Sequence, residues 1–256
     1  MDFPESLKAF ADKKVFLLAA TLRPETMYGQ TNCFVKPDGD YGVYEMHNGE
    51  LFIVSERAAR NLAYQEQTIV HKKYPALATV KGSELIGKKL KAPMTSYEFV
   101  YCLPLPTIKM DKGTGVVTSV PSDAPDDYMM LRDLQTKEGL RKILNVEAEW
   151  VMGFEPIPII EIPGMGNLSA KFCCEQFKVA SYKDAENMAK AKDRCYGEGF
   201  REGVMTVGLG AGKKVEDVKL MVEQHMIDHG LAIRYNEPES EVISRTGDNC
   251  IVALCD

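Results

Sequence analysis

Val15-Phe16-Leu17-Leu18-Ala19-Ala20-Thr21-Leu22-Arg23-Pro24-Glu25-Thr26-Met27-Tyr28-Gly29-Gln30-Thr31-Asn32-Cys33 is the stretch on which the reading of this chain turns. The unbroken apolar run 15–20 predicts a buried strand, and the polar, proline-containing turn behind it predicts that the strand ends in a functional loop. Working outward, short strand candidates recur at 32–35, 42–46, 51–54, 99–103 and 115–120, punctuated by Gly, Pro, Asn and Asp. Ser55 is placed to cap a helix running to about Tyr64, with Ala58, Ala59 and Leu62 on its apolar side. Asp123 is placed as the N-cap of a second helix, with Pro125 in its first turn and Met130, Leu131 and Leu134 spaced for one buried face. Ser181, with Asp184 behind it, predicts a capping box for another. A further helix is predicted over 215–229, where Val215, Val218, Val222 and Met226 form a stripe that Gly230 stops. The segment 154–166 carries too many prolines for a helix or a central strand and reads as an edge or crossing segment. This is mixed α and β without the regular alternation of a parallel sheet.

The chain has 256 residues, 45% hydrophobic and 27% charged, enough for one large domain or two small ones and for a core that needs no staples. That composition excludes a disordered or fibrous chain. No apolar stretch approaches the roughly 18–20 residues of a membrane helix, so no membrane partner is expected. The opening MDFPESLKAFADKK places acids and lysines where a secretory signal needs an apolar run, and export is not expected. Seven cysteines, an odd number with no Cys-x-x-Cys pair, point to reduced thiols in a cytosolic protein. With 37 acids against 31 bases and a net charge of -6, the chain does not hold nucleic acid through a broad basic surface. Any RNA contact must be local or supported by another domain.

Several weaker patterns carry little. His225 and His229 lie one helical turn apart, but a hydrolytic zinc helix needs Glu directly after the first His, and Met226 stands there. Gly208-Leu209-Gly210-Ala211-Gly212-Lys213-Lys214 lacks the first glycine of a phosphate loop and ends in Lys214 instead of Ser or Thr. No Gly-x-Ser-x-Gly elbow occurs.

The information lies in two segments. One is the loop 21–33 already quoted, and the other is Lys112-Gly113-Thr114-Gly115-Val116-Val117-Thr118-Ser119-Val120-Pro121-Ser122-Asp123-Ala124-Pro125-Asp126-Asp127. Together they resemble the threonine-rich and Gly-Thr-Gly/Asp regions of the editing domain inserted into leucyl-tRNA synthetases, of the eukaryotic cytosolic or archaeal type. Valyl enzymes share Thr-x-Arg-Pro-Glu-Thr, whereas the Gly-Gln-Thr-Asn-Cys continuation and Val-Pro-Ser-Asp-Ala-Pro-Asp-Asp look leucyl. Glu161-Ile-Pro-Gly-Met-Gly-Asn-Leu-Ser169 and Ile243-Ser-Arg-Thr-Gly-Asp-Asn-Cys-Ile-Val-Ala-Leu-Cys-Asp256 extend the resemblance over nearly the whole chain. The His-x-Gly-His and Lys-Met-Ser-Lys-Ser elements of ATP chemistry are missing, and Lys109-Met110-Asp111-Lys112 does not replace the latter. The resemblance therefore implies a single editing domain, 1–256, cut from a larger synthetase, with 1–14 as a flank and 243–256 as a return strand toward the parent catalytic core. It implies an α+β fold with a β-barrel-like core and peripheral helices.

The implied chemistry is hydrolysis, in the cytoplasm, of the aminoacyl ester on tRNA(Leu) charged with the wrong amino acid. The implied partners are the 3' end of that tRNA, the non-cognate aminoacyl-adenosine and the rest of the parent synthetase. No metal or cofactor is expected for this step, because an aminoacyl ester is already activated and the protein's task is mostly positioning. By alignment to the family motif, Asp127 grips the substrate's α-ammonium, although Asp126 and Asp127 also suit the positive end of a helix. Thr26 aligns with the threonine that crowds out a leucine side chain. Thr21 and Arg23 would approach the ribose and scissile ester, with Leu22 standing where bacterial relatives often have a second threonine. Gly113, Thr114 and Gly115 would allow close approach of adenosine or phosphate, though turn formation alone also explains both glycines. Thr118 and Val120 would line the side-chain pocket with Cys33 nearby, ordinary strand packing being the alternative. Two rival readings stay open: an editing domain for valyl- or isoleucyl-tRNA, and a non-catalytic tRNA-binding or protein-interaction module of the same fold.

Overall fold

A computed structural model describes residues 3–240 and 242–254. Its strands are β1 (Val15–Leu17), β2 (Asn32–Val35), β3 (Asp40–Glu45), β4 (Leu51–Val54), β5 (Ala78–Lys81), β6 (Lys89–Leu90), β7 (Val100–Pro104), β8 (Val116–Ser119), β9 (Ile160–Glu161) and β10 (Val204–Met205). Its helices are α1 (Glu56–Tyr64), α2 (Gly82–Leu85), α3 (Pro125–Thr136), α4 (Glu138–Leu144), α5 (Ser169–Gln176), α6 (Ala185–Arg201) and α7 (Val215–Asp228). The strands make two four-stranded sheets, ordered β1-β4-β3-β5 and β6-β7-β2-β8, and a small β9/β10 pair. The α+β class holds, and the β core consists of open mixed sheets, not a closed barrel.

Side-chain alternation explains the layers. Cys33 and Val35 of β2 join Cys102 and Val116 from the same sheet with Tyr41, Val43, Leu51, Ile53 and Val80 from the other, so the two sheets share one core. Phe34 points the opposite way, into a cluster with Leu103, Met130, Leu131 and Leu134, which seats α3 on the outer face. Helix α1 covers the outer face of the other sheet through Ala58, Ala59 and Leu62 against Tyr44, Phe52 and Val54. A fourth cluster gathers α5, α6 and α7 against Met27, Val120, Met129 and Ile159. Val215, Val218, Val222 and Met226 are all buried there, as their spacing predicts.

Some local expectations need correction. The run 15–20 is not a buried strand: β1 pairs on one side only, and Phe16 remains 42% exposed. Ser55 caps α1 as expected, its Oγ accepting from the Ala58 N–H at 3.3 Å. Asp123 does not cap α3. Ala124 holds that position without a side-chain bond, while Asp123 turns inward to accept from Ser122 Oγ at 2.5 Å. The capping box at Ser181 is displaced as well, because α6 starts after Asp184, whose carboxylate accepts from the Asn187 N–H. In both cases the carboxylate went to the donors that burial or the turn offered it, which the local spacing could not show. Met1 and Asp2 lie outside the described residues, and in the segment that follows, a short 3-10 turn, Glu5–Phe10, seats Leu7 in the core. Residues 243–254 make one antiparallel bridge, Ile243 to Asn249, with no strand from Cys250 to Leu254; Cys255, Asp256 and Glu241 lie outside the described residues.

Candidate active site around Arg23 and Asp127

Strand β2 brings the two distant segments together. Its antiparallel register with β8 sets Asn32 opposite Ser119 and Cys33 opposite Thr118, and the Thr31 N–H donates to the Ser119 carbonyl at 3.0 Å. The turn that precedes β2 and the turn that follows β8 therefore emerge at the same end of the sheet. The first is a 3-10 helix, Pro24–Gly29, opened by Pro24. It lies flat on the second because Gly29 has no side chain: a Cβ there would stand 3.0 Å from both Val120 Cγ1 and Ile159 Cδ1.

Arg23 ties the two turns. Its Nη1 donates to the Asp123 carbonyl at 3.3 Å, its Nε donates to Glu25 Oε1 at 3.2 Å, and its carbonyl accepts from Thr26 Oγ1 at 2.8 Å. Glu25 is 1% exposed, and its other oxygen has no hydrogen-bond partner among the described residues. Thr26 is buried within the turn. Thr21 is exposed, its hydroxyl accepting from the Arg23 N–H at 3.0 Å, and Leu22 is 85% exposed. These two side chains stand at the open edge of the turn.

Asp127 sits in the first turn of α3, 6% exposed. One carboxylate oxygen accepts from the Val120 N–H at 2.7 Å, closing the loop between β8 and α3. The other bonds no described residue. Burial pushes its pKa up to about 7, with the Val120 bond and Lys192 pulling the other way and Asp126 adding to the rise. Asp126 itself points away, to Lys192 Nζ of α6 at 2.5 Å. Asp123 is raised to about 6 by burial, held from rising further by Arg23, Ser122 and Ser169. Two carboxyls whose pKa burial raises and one arginine thus share the end of β8.

The wall opposite these turns is α6, which the sequence reading did not place. Lys192 pairs with Asp126, Cys195 Sγ reaches the Asp123 carbonyl at 3.4 Å, and the Tyr196 ring carries the Arg23 guanidinium at 5.3 Å from its centroid. A Cβ on Gly199 would lie 3.8 Å from Arg23 Nη2. Positions 192, 195, 196 and 199 share one helical face, but only the fold reveals that the face meets residues 23 and 123–127. No local motif could have found it.

The other nominated residues are placed elsewhere. Gly113, Thr114 and Gly115 precede β8 and so lie at its opposite end, about 15–20 Å away at the rise of an extended chain. There the Gly113 N–H donates to Glu237 at 2.9 Å, the Thr114 carbonyl accepts from the Ser55 N–H at 2.8 Å, and the Gly115 carbonyl accepts from Tyr41 Oη at 2.6 Å. Gly115 has φ +79, and a Cβ would crowd Met110 and Tyr41 near 3 Å, so its glycine serves the turn. Cys33 is a core side chain between the sheets, and Thr118 shares its register with partial exposure. Val120 is buried, contributing its backbone N–H to Asp127 and its side chain to the helical cluster. His225 and His229 stack with ring centroids 4.0 Å apart at the end of α7, and no cluster of three or more potential metal ligands occurs among the described residues.

No family model matches the chain. The cytoplasmic leucine–tRNA ligase of Pongo abelii is 50% identical over 254 residues, which is 99% of this chain and 22% of that protein, so the chain spans less than a quarter of such relatives. The crystal structure titled GlLeuRS-CP1 superposes with a TM-score of 0.81 at 43% identity, covering 90% of this chain and 87% of the other. The P. knowlesi cytosolic leucyl-tRNA synthetase editing domain gives 0.82 at 31% identity, over 90% and 88%. No helix among the described residues is long and apolar enough to cross a membrane. Similar to these solved domains over most of their length as well as its own, the chain belongs to the leucyl-tRNA synthetase family, in the part that forms its CP1 editing domain.

Proposed function

We propose that this domain performs post-transfer editing, hydrolysing the ester of tRNA(Leu) that carries a non-cognate amino acid, in the cytoplasm and as part of a larger synthetase. One observation carries this reading: Asp127 is a buried carboxylate with one oxygen pinned by the Val120 N–H and the other bonding none of the described residues, at the point where the two turns meet. A carboxylate so placed is starved of solvation when ionised, and an incoming ammonium relieves that deficit. The resulting charge-assisted bond is worth about 1.5–3 kcal/mol.

The remaining roles follow from position. Thr26, tethered to the Arg23 carbonyl, supplies bulk that crowds out leucine. Discrimination by one methylene yields only about 1–3 kcal/mol, which is why a synthetic site needs a second, smaller sieve. Arg23 presents Nη2, which bonds no described residue, to the ester or phosphate oxygens of the terminal adenosine. The hydroxyl of the exposed Thr21 accepts from the Arg23 backbone N–H at 3.0 Å. The reaction calls for no metal or cofactor, since positioning an activated ester and its attacking water suffices. The rest of the synthetase supplies most of the contacts to the tRNA body, as the acidic charge of this domain requires.

The deciding experiment compares wild type with Asp127→Asn, which keeps an acceptor for the Val120 N–H but removes the charge. Deacylation of mischarged tRNA(Leu) by the wild type and its loss in the variant supports the reading. Equal rates, or wild-type activity confined to mischarged tRNA(Val) or tRNA(Ile), overturns it. A domain that binds an aminoacyl-adenosine analogue independently of Asp127 and hydrolyses nothing is a binding module instead.

A further inference from the structure

We infer that Tyr196 is a positioning residue for the editing reaction, its ring face holding the Arg23 guanidinium so that Nη2 stays aimed at the substrate. This rests on the editing function proposed above and goes beyond it by bringing α6 into the site. An arginine on a loop has rotamer freedom that must be restricted before it can serve as a directed donor. Three contacts surround Arg23: Glu25 Oε1 takes Nε, the Asp123 carbonyl takes Nη1, and the Tyr196 ring lies 5.3 Å from the guanidinium carbon. The first two hold the guanidinium through two of its nitrogens. A ring face set against the cation adds a further restraint without consuming a donor.

The surroundings fit the role. Tyr196 is partly buried against the helical cluster, so the ring is itself anchored. One turn along α6, Gly199 brings the helix backbone up to Arg23, where a Cβ would be in ordinary contact with Nη2 at 3.8 Å. The phenol is held well above its ordinary pKa, first by burial and then by Asp127 and Asp126, so Tyr196 stays neutral and its ring remains an attractive face for a cation.

The test uses single-turnover deacylation of mischarged tRNA(Leu) by the whole chain, wild type and variants. Tyr196→Leu lowers kcat/KM about tenfold, the size of a partly desolvated cation–π contact. Tyr196→Phe keeps the ring and restores most of the rate. In an Arg23→Ala background, Tyr196→Leu has no further effect, whereas a merely structural role gives the same loss in both backgrounds. Should Tyr196→Leu fail to fold, phenylalanines of increasing fluorine content at position 196 keep the shape while draining the ring face, and the rate falls stepwise with fluorination. The inference is overturned by a Tyr196→Leu rate equal to wild type, by equal losses with and without Arg23, by a rate indifferent to fluorination, or by Tyr196→Phe as damaging as Tyr196→Leu. A wild-type chain that deacylates no mischarged tRNA overturns the functional reading itself, and unaffected wild-type deacylation in the variants overturns only the role of Tyr196.

Discussion

The two ends of β8 are built from similar materials and finished in opposite ways. At its start, the Gly113 N–H, the Thr114 and Gly115 carbonyls, Tyr41 and Glu237 all find partners, and Arg57 closes the set by pairing with Glu237 at 2.7 Å. At its finish, Ser119 Oγ, Gln30 Oε1 and Glu25 Oε2 are buried without a partner among the described residues, and one oxygen of Asp127 bonds none of them. Buried polar groups are nearly always paired, so a cluster of exceptions at one end of a strand marks where the molecule gives up stability. The comparison teaches that the Gly-Thr-Gly element, conspicuous as a motif, belongs to the end whose polar groups are paired, and the acid-rich turn to the end for which the editing chemistry is proposed.

The largest effect is expected from Asp127→Ala, which slows deacylation of mischarged tRNA(Leu) by about 10–150-fold, the loss of one charge-assisted bond. Single-turnover rates check it, and undiminished turnover would erase the distinction between the two ends. Thr26→Ala should turn correctly charged Leu-tRNA(Leu) into a substrate, raising its hydrolysis about tenfold or more; unchanged protection of the cognate product would remove Thr26 from the sieve. At the opposite end, Glu237→Ala should destabilise the domain by about 2 kcal/mol, because it strands the partly buried Arg57 and the Gly113 N–H. Denaturant unfolding measures this, while the deacylation rate of the folded protein stays unchanged.

The smallest effect is a pH-dependent one. The Asp127 carboxyl has its pKa raised to about 7 in the folded protein, against about 3.9 in an unfolded chain. The folded state therefore binds the proton more tightly, and stability falls as pH rises from about 4 to about 7. Asp127→Asn should be no more stable than wild type at pH 4 and about 1 kcal/mol or more stable at pH 8, read from unfolding midpoints at the two values. A variant less stable at pH 8 would show that ionised Asp127 stabilises its own loop more than burial penalises it.

What could be read from sequence followed the range of the physics. β2 and β4 appear with the expected bounds because a short apolar run between breakers is a local signal, and α7 appears because its stripe has helical period. The run 15–20 misled because apolarity alone does not distinguish a central strand from an edge strand beside a turn. In the site, the resemblance nominated Arg23, Thr26 and Asp127, and the register of β2 on β8 accounts for the meeting of their turns. Tyr196 and Lys192 remained hidden because their partners are reached across α6, and neither residue departs from what an ordinary solvent-facing helix contains. The Gly-Thr-Gly segment stood out for its glycines, whose cause is the backbone turn, with no ligand needed to explain them.

The tether from the Thr26 hydroxyl to the Arg23 carbonyl has a consequence for how selectivity is divided within one side chain. The oxygen is committed to the turn, so the γ-methyl is the part left to do the excluding. Serine at this position keeps the tether and loses the obstruction, whereas valine keeps the obstruction and loosens the turn. Under the proposed editing function, proofreading accuracy would thus reside in a single carbon, while the oxygen beside it keeps that carbon from swinging aside.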